Sequence, residues 1–176
     1  MSFLPFIVAA LARALQRYPQ CNAHYDAARE MVLRYPAKHV GIATQTSEGL
    51  KVPVVRDAER LGLRALASEI TRVTTAARDR SARRQELSGS TITVTSLGKL
   101  GGIASTPIIN MPEVAIIGVN RAVERPMVVN GTIQVRLMMN LSSSFDHRFV
   151  DGADAAGLIQ DLRERLEHPA TLFLNE

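Results

Sequence analysis

The sequence predicts a single α/β domain with a mixed sheet flanked by helices. Three observations carry this. Helix-periodic and strand-periodic segments alternate along the chain in the order helix, strands, helix, strands, helix. One of the strand patterns, Val114 to Val119, is continuously apolar, as in a strand buried on both faces. The chain has 176 residues, 46% hydrophobic and 22% charged, which suits one domain with a real core.

Leu4, Ile7, Val8, Leu11 and Leu15 fall on one face of a first helix. Ser2 is placed to cap it, Pro5 is tolerated in its first turn, and Pro19 ends it. His39 to Thr46 and Leu50 to Arg56 read as strands joined by a turn at Ser47-Glu48-Gly49. Leu61 to Arg80 reads as the second helix, and Ser88-Gly89-Ser90 breaks the pattern after it. Thr91 to Ser96 is a β-branched strand, and Leu97 to Met111 is a Gly- and Pro-bearing loop long enough to suggest function.

Asn130-Gly131 between apolar β-formers is a two-residue hairpin turn. From Ile133 onward, apolar residues at 135, 137, 139 and 141 alternate with polar ones in a strand reaching toward His147. Ala155, Leu158, Ile159, Leu162 and Leu166 form the face of a last helix, closed by Pro169.

Composition narrows the function classes. The net charge of +4 is concentrated near Arg78-Asp79-Arg80-Ser81-Ala82-Arg83-Arg84, at a helix end where cations complement the dipole. With five Phe, three Tyr and no Trp, stacking platforms for nucleic acid are scarce. A polyanionic small molecule is the better use for the positive excess. The single cysteine, Cys21, excludes an intrachain disulfide and fits a reducing, cytoplasmic setting. It has no histidine in a suggestive pattern beside it. No apolar run approaches the ~18 residues of a membrane span. His24, His39 and His168 lack metal-ligand spacing, so no metal site is expected. Gly98, Gly101 and Gly102 are not followed by the Gly-Lys-Ser/Thr ending of a nucleotide P-loop.

The segment Ser144-Phe145-Asp146-His147-Arg148-Phe149-Val150-Asp151-Gly152 is the most informative. It puts a histidine, a group that titrates near neutral pH, at a strand end, with an aspartate where a helix begins. Spacing alone leaves two readings open: a general base with a carboxylate beside it, or a strand-to-helix turn in which Asp151 merely caps the helix.

This tract resembles the His-x-x-x-Asp-Gly element of the dihydrolipoamide acyltransferases of 2-oxo acid dehydrogenase complexes and of their distant relative, chloramphenicol acetyltransferase. Thr93 to Gly102, Ser105 to Val119, Gly41-Ile42-Ala43 and Gly49 to Val54 resemble further segments of the family in the right order. The resemblance covers essentially all 176 residues. It implies a chloramphenicol acetyltransferase-like α/β fold, trimeric, with residues 1–176 as a catalytic domain that lacks the family's N-terminal strand and helix and carries no lipoyl or subunit-binding domain.

The activity implied is acyl transfer between the thiol of dihydrolipoamide and coenzyme A, the lipoyl group being carried by a separate domain. Within the family, the tracts from Thr95 and Asn140 look most like bacterial branched-chain complexes. Alternatives are an acetyl-transferring member, a truncated inactive scaffold, and a related antibiotic acetyltransferase. By resemblance, His147 is the base, Thr95 the hydroxyl aimed at the oxyanion, and Asp151 a structural and electrostatic support. Ser2, Gln45, Thr74, Ser96, Asn120 and Ala122 fall at coenzyme A contact positions. The family shares each site between two chains of a trimer. Trimers build a hollow cubic or dodecahedral core of twenty-four or sixty chains, and E1 and E3 components dock through domains not seen here. On this resemblance the tail Leu172-Phe173-Leu174 either reaches another trimer or packs on its own domain.

Overall fold

The computed structural model describes every residue except Met1, Leu97, Lys99, Leu100 and 174–176. Its backbone is a central sheet in the order β10-β7-β6-β3-β4, with β5 beside β4 on the same edge of β3. The strands are β3 (Val40–Thr46), β4 (Gly49–Lys51), β5 (Val54–Val55), β6 (Ile92–Ser96), β7 (Ala115–Val119) and β10 (Leu141–Phe145). β3, β6 and β7 are parallel, while β4, β5 and β10 run antiparallel to their neighbours. The sheet is therefore mixed, as the sequence predicts.

Among the described residues three α-helices accompany it: α1 (Leu4–Arg17), α2 (Leu63–Arg78) and α3 (Gly152–Glu167). α1 packs against both of the others, and α2 lies on β3. α1 is rich in alanine and buried on most of its surface, with Ile7, Val8, Ala10, Leu11, Ala14 and Leu15 all in the core. Small residues allow α2 and α3 to approach it closely. At Gly157 of α3 an added Cβ would stand 2.6 Å from the Tyr18 hydroxyl, so Tyr18 packs directly against the helix there. The core joins these helices to Val40, Ile42, Ile92, Val94, Ala115 and Ile117, the residues of β3, β6 and β7 that share the helix-facing side.

Among the described residues, two hairpins stand outside the central sheet. β1 (Ala23–Asp26) pairs with β2 (Met31–Arg34), and β8 (Val123–Val129) pairs with β9 (Thr132–Met138). The second turns at Asn130 and Gly131, both with positive φ, as the dipeptide predicts.

Several sequence expectations need correction. Ser2 does not cap α1: the N-cap is Phe3, with no side-chain cap. The strand expected to run from Ile133 toward His147 is two strands, since β9 belongs to the outer hairpin and β10 to the central sheet, with a break at Met139-Asn140. The strand expected over Leu50 to Arg56 is likewise split, because Val52-Pro53 interrupts the ladder and Pro cannot donate to it. The β1–β2 hairpin has no counterpart in the sequence reading. Leu172 is buried on its own domain and Phe173 is 64% exposed, while Leu174 lies outside the described residues.

Candidate active site

Thr95 sits near the C-terminal end of β6, in register with Gly118 of β7, which is in turn opposite Ser142 of β10. Alternation along β6 puts Thr93 and Thr95 on one face and Val94 and Ser96 on the other. The Thr95 face is the one crossed by the long loop. An added Cβ at Gly118 would meet Ser142 O at 2.9 Å and Ser105 Oγ at 3.1 Å, so this position admits only glycine without displacement. The loop is tied down by β10 and its approach: Asn140 Nδ2 donates to Ile103 O, Ser105 N to Ser142 Oγ, and Ser144 Oγ to Pro107 O.

His147 lies in the turn after β10, where the chain passes into α3. Asp146 N donates to Val114 O at 2.8 Å, extending the β10–β7 pairing by one step. Because Phe145 is opposite Ala115, His147 emerges at the N-terminal end of β6 and β7, while Thr95 is near their C-terminal end. Five residues of rise and two strand spacings separate them by roughly 15–20 Å. One chain therefore does not bring the two together. Asp151 is the N-cap of α3 and accepts from Asp154 N at 2.9 Å. This is the helix-cap role that spacing left open, and it fixes the end of the His147 turn.

At the C-terminal strand ends, on the helix side, a cavity of about 890 Å³ opens between β3, β6, α2 and the start of α1. Ser2, Thr74, Ser96, Asn120 and Ala122 line it, five of the six residues singled out for coenzyme contact. The sixth, Gln45, is exposed on β3 and does not line this cavity. Asn120 is nearly buried; its Nδ2 donates to Asn140 O and Ser142 Oγ, which joins the cavity wall to the loop clamp on β10. The Thr74 hydroxyl donates to Ile70 O within its own helix. Two guanidinium groups that were not among those contact positions, Arg78 of the basic tract and Arg121, also line the cavity. Arg78 stands one helical turn beyond Thr74, a spacing that could have flagged it. A channel with hydroxyl and amide walls and two cations fits an elongated anionic substrate.

Two of the three histidines without metal-ligand spacing have structural partners for their side chains. His24 Nε2 donates to Ser90 O, and its Nδ1 lies 3.0 Å from the Tyr35 hydroxyl. His39 Nδ1 accepts from Asp57 N. Near His24 is a buried carboxylate that the sequence did not reveal. Glu113 Oε1 accepts from Ser90 Oγ and Thr93 Oγ1, 23 and 20 residues away in sequence, and from Asn110 Nδ2 in its own loop. Burial pushes the Glu113 carboxyl above its ordinary range, against the pull of those hydrogen bonds and of His24. Cys21 is fully buried, and burial, reinforced by Asp154 and Asp151, pushes its thiol up to about 12.

The mixed six-stranded sheet carries a histidine turn after its antiparallel edge strand and a cavity at the opposite strand ends. Chloramphenicol acetyltransferase superposes on 94% of the chain and 78% of its own length with a TM-score of 0.63 at 16% identity, a likeness of fold alone. The family model of the 2-oxoacid dehydrogenases acyltransferase (catalytic domain) matches residues 1–174, and the chain belongs to that family.

The lipoamide acyltransferase component of the branched-chain alpha-keto acid dehydrogenase complex of Pseudomonas aeruginosa is 65% identical over 174 residues, covering 99% of this chain and 41% of the relative. The chain thus spans about two fifths of the length of the curated relative it matches. Two solved structures each align with a TM-score of 0.93 at 36% identity, over 99% of this chain and 72% of theirs. One is the dihydrolipoamide acetyltransferase of Azotobacter vinelandii, studied for the catalytic roles of a serine, a histidine and an asparagine. The other is the cubic core of a pyruvate dehydrogenase multienzyme complex.

Proposed function

We propose that this chain is the acyl-transfer module of a branched-chain 2-oxo acid dehydrogenase complex, moving an acyl group between dihydrolipoamide and coenzyme A at sites shared by neighbouring chains of a trimer. The observation that carries the reading is a match of spacing within the family. Thr95, His147 and Asp151 are 52 and 4 residues apart, the same separations as the serine, histidine and asparagine of the Azotobacter enzyme. Threonine keeps the hydroxyl of serine. Aspartate in place of asparagine adds a charge, here spent on capping α3.

The chemistry follows from these groups. A neutral His147 imidazole takes the proton of the attacking thiol, which at a pKa near 8.5 is mostly protonated at pH 7. The thiolate adds to the thioester carbonyl, and the Thr95 hydroxyl donates to the oxyanion. Collapse expels the second thiolate, which recovers the proton from His147. Dihydrolipoamide and coenzyme A approach as two long substrates. The cavity lined by Ser2, Thr74, Ser96, Asn120 and Ala122, with Arg78 and Arg121, suits the anionic one. Branched-chain acyl preference rests on the 65% identity to the Pseudomonas relative. The separation of Thr95 from His147 within one chain supports a shared site, since neither residue meets its counterpart at home. Assembly of trimers into a larger hollow core is part of the same reading, as is docking of E1 and E3 through domains outside this chain.

The test is complementation in the assembled protein. His147→Ala should abolish acyl transfer and leave the melting temperature unchanged, and Thr95→Ala should lower turnover about 10²-fold or more. Mixing the two inactive proteins under subunit exchange should restore part of the activity. Exchange with no recovery rules out the shared site, and full activity in His147→Ala rules out the base.

A further inference from the structure

His147 is flanked in sequence by opposite charges, and these two side chains close on each other around it. Asp146 Oδ1 accepts from Arg148 N at 3.2 Å and Nε at 2.9 Å, and Asp146 Oδ2 accepts from Arg148 Nη2 at 2.7 Å. Asp146 O accepts from the backbone N–H of both Phe149 and Val150, each at 3.0 Å. The residue before the histidine thus ties down the three residues after it. Arg148 is held from the far side as well. Its guanidinium carbon is 4.6 Å from the Tyr25 ring centre and 4.9 Å from that of Phe149, and the two rings are 4.6 Å apart. Tyr25 belongs to β1, anchored by its own N–H to Pro112 O. The fork extends from the end of β10 to the β1–β2 hairpin, with the His147 backbone inside it.

Stability does not account for this arrangement. The Arg148 side chain is 63% exposed and that of Asp146 21%, and pairs so exposed contribute little to folding. The hydrogen bonds to Arg148 hold the Asp146 carboxyl below its ordinary range, and the same contact holds the guanidinium charged, so the fork persists across the working pH range.

Taking His147 as the base, we infer that Asp146 and Arg148 form a charge-neutral fork that positions its backbone and sets its proton affinity, with Tyr25 as the anchor. A lone cation beside an imidazole disfavours the imidazolium, and a lone anion favours it. Paired, the two charges cancel at His147 while keeping the turn closed. Other charged or titratable groups near the turn are Asp151 and Asp154 in the first turn of α3, Tyr25 and Asp26 on β1, and Cys21. Asp151 is bound to Asp154 N, and Asp26 is paired with Arg29. All but Tyr25, which changes only in its own variant, are the same throughout, so differences between the Asp146 and Arg148 variants report the fork.

The experiment measures the pH dependence of kcat/KM for acyl transfer between an acyl-coenzyme A and dihydrolipoamide in the assembled protein. Asp146→Asn leaves Arg148 uncompensated, and the acid limb should move to lower pH by roughly half a unit. Arg148→Gln leaves Asp146 uncompensated and should move the limb to higher pH by a similar amount. Both shifts should shrink at ~0.5 M salt, where the screening length is a few ångströms. The double variant should restore the parental limb with a lowered kcat. Tyr25→Leu, which removes the anchor without a charge, should lower kcat and leave the limb in place. Limbs that stay fixed, or move in the same direction, overturn the inference. A His147→Gln protein that keeps parental activity would instead fail the base assignment, whatever the fork variants do.

Discussion

The central sheet and the β8–β9 hairpin are built from the same kinds of residue and meet opposite fates. Ile92, Val94, Ala115 and Ile117 are almost wholly buried, while Val128, Ile133, Val135 and Leu137 are 60–79% exposed. On the hairpin, Val128 stands opposite Ile133 and Pro126 opposite Val135, so these side chains form one continuous apolar face. Burying each large apolar side chain is worth about 1.5–3 kcal/mol. A lone chain leaves that stabilisation unused on the hairpin and exposes a face of the kind that marks an interaction surface. An alternating apolar pattern thus specifies which face will be buried without specifying which chain will bury it.

The comparison can be broken most severely from the hairpin side. In Val135→Lys, a charge in the middle of the exposed face should dissociate the assembly and remove activity. The helical circular dichroism of the chain should persist, because Val135 contributes nothing to the core. Sedimentation and activity measured together check this; an active, fully assembled variant would put the interface elsewhere.

A change in the sheet should show the opposite signature. Gly41 of β3 faces Val52 Cγ1 at 2.7 Å, Thr93 Oγ1 at 2.8 Å and Ser90 Cβ at 3.0 Å from where a Cβ would stand. Gly41→Ala should destabilise the fold by about 1–3 kcal/mol through overpacking, read as a lower urea midpoint, with the surviving folded protein assembled as before.

The smallest effect concerns Glu113, behind the same strand. Its folded carboxyl titrates above the ordinary range, so over that window the folded state keeps a proton that the unfolded chain has lost. The stability held at low pH is therefore lost progressively as pH rises through the window, and then levels off. Glu113→Gln should flatten that decline, visible as a smaller difference in melting temperature between pH 4 and pH 7. An unchanged slope would mean that the burial cost is met elsewhere.

How much of this was legible in the sequence follows the range of the interactions. α1, α3, β6 and β7 show themselves through local periodicity, and the Asn130-Gly131 turn through backbone chemistry. The β1–β2 hairpin does not, because Met31, Val32 and Leu33 are exposed in succession and give no alternation. The division between β9 and β10 is hidden because the apolar alternation runs unbroken across Met139-Asn140 while the two halves pair with different partners. The residues of the candidate site were legible only through family resemblance. Their separation depends on strand order, which places β7 between β6 and β10 and is set by non-local pairing. Glu113 looks in sequence like an ordinary acid in a loop, and its three donors come from positions 90, 93 and 110.

The single thiol adds a point about chemical silence. Under the proposed function, in which acyl groups pass from one sulfur to another, a third reactive sulfur would compete for them. Cys21 is sealed in the core and burial pushes its thiol up to about 12, so at pH 7 it stays protonated rather than forming the nucleophilic thiolate. The buried thiol offers neither acyl groups nor oxidants an exposed sulfur among the described residues.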